Sequence, residues 1–433
     1  MHRSIIANTL FSFAELKSVT RLTVAAAALV FGLTELPAAN ADVVTDWNAT
    51  LGTAIKTAAT GAAAQGRQEA VMHAAIYDAV NGIVRKYNPF HVTESAPGGA
   101  RPEAAAAQAA YTAAVSLYPA QKTLFDAQLA ASLAAIPGAP GNSQSIATGR
   151  AWGEKVARNI VEWRGHDGFG AIAPYYFGGN APGQWRPVPP NGTLPAVFPD
   201  IAVMTPFAMI DHAQFRSGPP PALDSPEYAA SVNEVKALGR VDSVLRTPEQ
   251  TQLARLWHAV DVVDECTAVR GVVSPKMQLV DNARLFALLT ITAADALIAG
   301  MDTKYTYNLW RPYHAIRLAD TDGNPDTVAD PDWTPLLVTP RHQEYISNHG
   351  VFTGSFMRIL TNFFGDNNAI TISSPGFPGF NKTYPSFSAA GDEVGNARIW
   401  GGIHYRFSTT KGIEVGRQIA DYVTANFLLP ANH

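Results

Sequence analysis

Cysteine is all but missing from this chain of 433 residues: Cys266 stands alone. That excludes an intrachain disulfide and a thiolate metal cluster. Charge is scarce as well, with Asp, Glu, Lys and Arg at 16% and a formal net charge of −4. No basic excess exists to serve a nucleic-acid surface. Long uninterrupted apolar runs are rare. The best one beyond the N-terminus, residues 278–301, carries Asp281, Arg284 and Asp295 and reads as a buried core helix, so no membrane span is expected in the mature chain. Strand-like alternation is sparse, and no internal repeat stands out. The glycine-rich stretch at 178–183 follows no strand and is not a phosphate loop.

What is present is apolar and helical. Hydrophobic residues reach 47%, as a compact globular protein requires. Arg3, Lys17 and Arg21 precede a short apolar run at 22–33, and Ala39-Asn40-Ala41 has the small-x-small form of a cleavage site. A signal peptide over 1–41 is expected, with cleavage after Ala41 and export to a periplasm or beyond. Helical periodicity follows at 44–86, at 102–136 with a break at Pro119, and at 143–164, where Trp152, Val156, Ile160 and Trp163 share a stripe. His73 and Asp78 lie in the first of these and read as core or helix-surface residues. Residues 165–225 turn to Pro, Gly and aromatics, an irregular segment that either wraps the bundle or walls a site. Helices resume at 226–239, and again after Thr247-Pro248-Glu249-Gln250, a capping sequence with proline at the first helical position. Further helices are expected near 278–310, 349–364 and 411–428. The fold class is mainly α: a helical bundle with long irregular loops. An N-terminal helical region (42–225) precedes a C-terminal helical core (226–433). Oxygen-bearing side chains alternate through 320–326 as in a calcium loop, but the sixth-position Gly and twelfth-position Glu are missing, so a solvated turn is expected.

Three basic clusters in the last third carry the chemistry. Lys304 with Arg311-Pro312 spells K-x6-R-P, Ser347-Asn348-His349 spells S-x-H, and Arg398 with Gly402 and His404 spells R-x3-G-x-H. A tetrahedral oxyanion needs this set. Arginine meets two oxygens with a planar fork and lysine adds a point charge. A serine hydroxyl and backbone N–H groups satisfy remaining lone pairs. Of two histidines, one can bind the central atom and the other can move protons. A seven-residue spacing puts Lys304 and Arg311 on one helix face, with Arg311 at the helix C-terminus because Pro312 follows. Gly401-Gly402 permits a break that brings Arg398 and His404 to one point.

In these motifs the chain resembles the vanadium-dependent haloperoxidase and type 2 phosphatidic acid phosphatase superfamily, in its soluble bacterial haloperoxidase-like branch. Residues 304–316 (KYTYNLWRPYHAI), 339–350 (TPRHQEYISNHG) and 397–407 (ARIWGGIHYRF) are similar to its three motifs. The resemblance extends from about Arg67 to the C-terminus. It implies a bundle of that superfamily's type and a bound vanadate, whose place phosphate can take. Lys304, Arg311 and Arg398 would bind the anion's oxygens, with Ser347 and the backbone N–H of Asn348. His404 would be the axial vanadate ligand, or the nucleophile of a phosphatase. His349 would be the acid–base group, and Lys304 would assist by polarisation. His342 falls where bromoperoxidase-type members carry a second histidine. Three positions depart from the pattern: Ile346 for proline, Asn348 for glycine, with a side chain expected to narrow the pocket or add a contact, and Ala397 for serine. Met301 replaces the tryptophan of fungal chloroperoxidases.

Three functions remain open on the sequence. The resemblance favours a peroxidase that uses peroxide to oxidise halide, with or without an organic acceptor. A soluble acid phosphatase would use the same ligands through a phosphohistidine on a phosphoester. A non-catalytic oxyanion-binding protein would bind without turnover.

Overall fold

The computed structural model describes residues 42–431, and the expected signal peptide lies outside the described residues. Among these residues are thirteen α-helices and one short hairpin. Asp42 opens α1 (Val43–Thr57) by accepting from the N–H groups of Val44 and Thr45, while Thr45 returns a bond to the Asp42 backbone. The single helix expected over 44–86 is in fact two. Ala59 turns left-handed (φ 50°), and α2 (Ala62–Val84) restarts after Gly61. Gly61 is needed there, because a side chain would come within 2.7 Å of the Phe198 ring. α3 (Pro102–Leu117) and α4 (Lys122–Ala134) divide at Pro119 as expected.

Two bundles follow. In the first, α2, α3 and α5 (Ser143–Arg164) pack together. Cβ atoms added at Gly149 and Gly153 would lie 2.4 Å from the Arg101 carbonyl and 2.2 Å from the Ala105 carbonyl, so α5 lies backbone-to-backbone on alanine-rich α3. The second bundle joins α9 (Leu279–Tyr307), α11 (Asn348–Phe364), α12 (Phe387–Trp400) and α13 (Arg406–Asn426). Here the seam is glycine on both sides. Cβ atoms at Gly412 and Gly416 would meet the Ser347 and Val351 carbonyls at 2.7 and 2.1 Å, and one at Gly354 would meet the Ile413 carbonyl at 2.9 Å. This close approach carries the start of α11, with its S-x-H motif, onto the segment that bears His404.

Helix α9 packs on α2 and connects the bundles. It is long and apolar enough to cross a membrane, but its apolar window is fully buried, as the core-helix reading requires. Shorter helices α6 (Pro226–Leu238), α7 (Pro248–Ala259), α8 (Val262–Val269) and α10 (Pro312–Arg317) flank the second bundle. The Thr247–Gln250 cap forms reciprocally, as its sequence predicts. An antiparallel hairpin, β1 (Ile370–Ser373) with β2 (Asn381–Tyr384), was not expected. Its strands are four residues each and bury only Ile370, Ile372 and Tyr384, too short a pattern to show in sequence.

The irregular segment at 165–225 is tied down by buried charge. Arg164 donates to the carbonyls of Thr205 and Pro206, and Arg67 and Arg164 share the Asp167 carboxylate. Asp295, fully buried on α9, accepts from three successive backbone N–H groups, those of Phe207, Ala208 and Met209, at 2.7–2.8 Å. Asp78 on α2 does the same for Phe90, His91 and Val92. Both aspartates and His73 are therefore core residues. The turn at 320–326 is not simply solvated. Asp322 turns inward to accept from Asn324 N and Thr327 Oγ1, and the Asn324 amide caps the Leu223 and Ser225 carbonyls. Among the described residues no group of three or more His, Cys, Asp or Glu side chains has metal-binding geometry.

Glu265 on α8 is wholly buried and accepts from the Thr353 hydroxyl at 2.6 Å. Burial pushes its carboxyl from the usual 4.5 up to about 8. A carboxyl raised on folding contributes stability that is complete below about pH 4.5 and is lost as pH rises towards about 8. Glu265→Gln abolishes that titration. Between pH 5 and 8 the natural protein should lose about 3 kcal/mol relative to the variant, at 1.36 kcal/mol per pKa unit. Urea unfolding at the two pH values measures this, and parallel pH profiles would contradict it.

Candidate active site

The first motif does not form as expected. Lys304 lies in the last turn of α9, and the helix stops at Tyr307, with Asn308 left-handed (φ 52°). Arg311 is extended (ψ 157°) and stands as the N-cap of α10, with Pro312 at the first helical position. Proline excludes the α region at Arg311 and starts the next helix instead of merely ending the last. A strap from the irregular segment fixes the turn: Trp185 N–H donates to the Asn308 carbonyl, and Trp310 N–H to that of Gly183.

The three motifs meet beside a cavity of about 290 Å³. His342, Asn348, His349, Arg398 and His404 line it, with His258 from α7. Lys304, Arg311 and Ser347 are fully buried behind that wall. Ser347 is the N-cap of α11 and its Oγ accepts from Gly350 N–H at 3.3 Å, which leaves its own hydrogen free to donate. The helix N-terminus adds positive potential at the same place. The rest of the lining is apolar: Ala62, Ala63, Val197, Phe198, Leu297 and Phe352, the last with its ring 5.1 Å from that of His349. Val197 is held by its N–H to the Arg341 carbonyl and by Tyr305 Oη on its own carbonyl. The irregular segment thus both wraps the bundle and walls the site.

The donors are held by backbone. Lys304 Nζ donates to the Gln343 and Glu344 carbonyls at 3.0 and 2.8 Å. Arg311 donates to the His342 and Ile403 carbonyls at 2.8 Å, to His404 Nε2 at 3.1 Å and to His342 Nδ1 at 3.0 Å. Among the described residues Arg398 has one acceptor, the Trp257 carbonyl at 3.2 Å, and its buried Nε has none. His349 Nε2 is likewise buried with no partner among the described residues. Burial pushes Arg311 down to about 10 and Arg398 to about 9, and holds Lys304 well below its usual value, with Arg311 adding repulsion. Burial also holds His342, His349 and His404 well below 6.5, assisted by Arg311 at His342 and His404 and by Arg398 at His349, so all three are neutral at pH 7. Such a concentration of buried cations is costly unless negative charge meets it.

One member escaped the sequence reading. Glu344, wholly buried, accepts from His404 Nδ1 at 2.7 Å and from Tyr405 N–H at 3.0 Å through the same oxygen. Burial raises its carboxyl to about 7, and Arg311 and Lys304 keep it from going higher. It stands two residues from His342, inside the second motif, but nothing in local pattern marks it.

Asn348 does not project across the cavity. Its amide Nδ2 lies 3.3 Å from Met301 Sδ, and its Oδ1 lies 2.7 Å from where a Gly300 Cβ would be. The side chain is seated against α9, in space that Gly300 leaves free and Met301 floors. Gly300→Ala should push the amide out of that seat towards the anion donors and weaken phosphate or vanadate binding several-fold. Calorimetric titration reads this directly, and an unchanged affinity would show that the seat does not matter.

Oxyanion donors with a single carboxylate suit an anion, not a bare cation, so the residues present fit vanadate or phosphate. Residues 284–430 match the family model described as the VCPO second helical-bundle domain. The vanadium chloroperoxidase of Curvularia inaequalis is 31% identical over 94 residues, which span 19% of this chain and 15% of that protein. The fold is similar to that of a bacterial vanadium-dependent iodoperoxidase, with a TM-score of 0.77 and 23% identity, covering 90% of this chain and 97% of that one. It is also similar to an apo-type bacterial vanadium-dependent chloroperoxidase, with a TM-score of 0.65 and 16% identity over 84% of this chain and 92% of that one. The resemblance carried by the three motifs therefore holds, and the chain has the helical vanadium haloperoxidase fold.

Proposed function

We propose that this chain is a vanadate-dependent haloperoxidase that uses peroxide to oxidise halide. One observation supports it most: Lys304, Arg311 and Arg398, all buried, converge with the neutral imidazoles of His349 and His404 at one cavity, with Glu344 beside them. Lys304, Arg311, Arg398, Ser347 and the Asn348 N–H would hold vanadate together with His404 Nε2. Bound vanadate supplies the Lewis-acid centre at which peroxide is activated towards halide.

The chain's own residues do the rest. Arg398 brings donors that protein does not consume, and Lys304 keeps one N–H after its two carbonyl bonds. His349 is neutral and its Nε2 is free, so it can accept a proton from an incoming peroxide. His342 braces the Arg311 fork through Nδ1. The apolar wall at Phe198, Leu297 and Phe352 excludes water and suits a small organic acceptor. Phosphate shares the charge and shape of vanadate, so the assay must separate the two chemistries. Purified protein is tested for iodide and bromide oxidation by peroxide with and without vanadate, beside hydrolysis of p-nitrophenyl phosphate. Vanadate-dependent halide oxidation is expected. Phosphoester hydrolysis that vanadate inhibits, without halide oxidation, would make this a phosphatase.

A further inference from the structure

We propose that Glu344 is the positioning residue of His404: it fixes the imidazole as the Nδ1–H tautomer and leaves the Nε2 lone pair facing the anion donors. The inference rests on His404 being the group that meets the central atom. Two contacts on opposite sides of the ring carry it. On one side, Glu344 Oε1 lies 2.7 Å from Nδ1, and a carboxylate oxygen at that distance takes the ring's proton as a hydrogen bond. On the other, Arg311 lies 3.1 Å from Nε2, and a guanidinium can only donate, so Nε2 presents a lone pair. The two contacts demand the same tautomer. Oε1 also accepts from Tyr405 N–H at 3.0 Å, so one oxygen ties down the imidazole and the backbone that follows it.

The carboxylate is itself held. Lys304 donates to the Glu344 carbonyl at 2.8 Å, and Glu344 N–H donates to the Leu309 carbonyl at 2.9 Å. Lys304 from the first motif, Glu344 from the second and His404 from the third form one chain. A carboxylate behind a ligating imidazole fixes its orientation and raises its basicity, and loss of such a partner weakens ligand affinity typically 10–100-fold.

The test uses the full protein with 15N-labelled histidine and no added anion, with His404 assigned by the signals missing from His404→Ala. The natural protein should show a protonated Nδ1 and a bare Nε2. In Glu344→Ala the ring should populate both tautomers, and vanadate affinity should fall 10–100-fold. Glu344→Gln keeps an acceptor oxygen and nearly the same shape, and should lie between. An unaltered tautomer with vanadate affinity within about twofold in both variants overturns the proposal. If Glu344→Ala does not fold, Glu344→Gln decides on the same two readings. A natural protein that binds neither vanadate nor phosphate would defeat the proposed function instead, while the nitrogen shifts would still report whether Glu344 sets the tautomer.

Discussion

His404→Ala should reduce halide oxidation by on the order of 10³-fold or more, the scale expected when one member of a catalytic unit is removed. In the proposed function this imidazole is the protein's one bond to the central atom, and its Nε2 already faces Arg311 at 3.1 Å. Lys304, Arg311 and Arg398 remain in the variant, so oxyanion binding should weaken without vanishing. His404→Ala also frees Glu344 from its imidazole, leaving a buried carboxyl whose Oε1 keeps only the Tyr405 N–H. Steady-state halide oxidation and calorimetric vanadate titration on the same preparation separate the two effects. Near-natural turnover in the variant would remove His404, and with it the third motif, from the mechanism.

Asp295→Ala should destabilise the fold by on the order of 5 kcal/mol, summing the cost of about 1–3 kcal/mol for each buried donor left without an acceptor. The three N–H groups of Phe207, Ala208 and Met209 have this carboxylate as their acceptor, at 2.7–2.8 Å. Burial raises its pKa to about 6, against the pull of those bonds, so it is ionised at pH 7. Asp295→Asn keeps one acceptor oxygen and should cost less. Urea unfolding at pH 7 measures both. The loss should also reach the site, because the same irregular segment carries Val197 and Phe198 to the cavity wall. A variant as stable as the natural protein would show that the segment is held elsewhere.

Most helices were legible because their signals are local, although α8, α10 and α12 were not expected. The Thr247 cap, the break at Pro119 and the stripe of Trp152, Val156 and Ile160 each depend on residues within one or two turns. The hairpin was not, since two four-residue strands with three buried side chains carry too little period to read. The glycine seam between α11 and α13 is spelled in the sequence at Gly350 and Gly354 and at Gly412 and Gly416, but spacing alone does not say which backbone those glycines admit. The inward turn at Asp322 and Asn324 was hidden for the same reason: its partners at 223 and 225 are distant in sequence.

By itself the sequence determined which groups the candidate site has to offer: three cations, a hydroxyl and two histidines, types that suit an oxyanion. It also determined a mainly helical chain, since apolar periodicity at 3.6 is a short-range property. Tertiary structure decided how those groups face one another. It placed Arg311 at the start of α10 instead of the end of α9, turned Asn348 onto Met301, and brought Phe198 to the same cavity as the histidines. It also brought Glu344 to His404 across 60 residues of chain. Such meetings depend on how closely helices pack, and that is set by side chains on both partners, which a pattern along one segment does not contain.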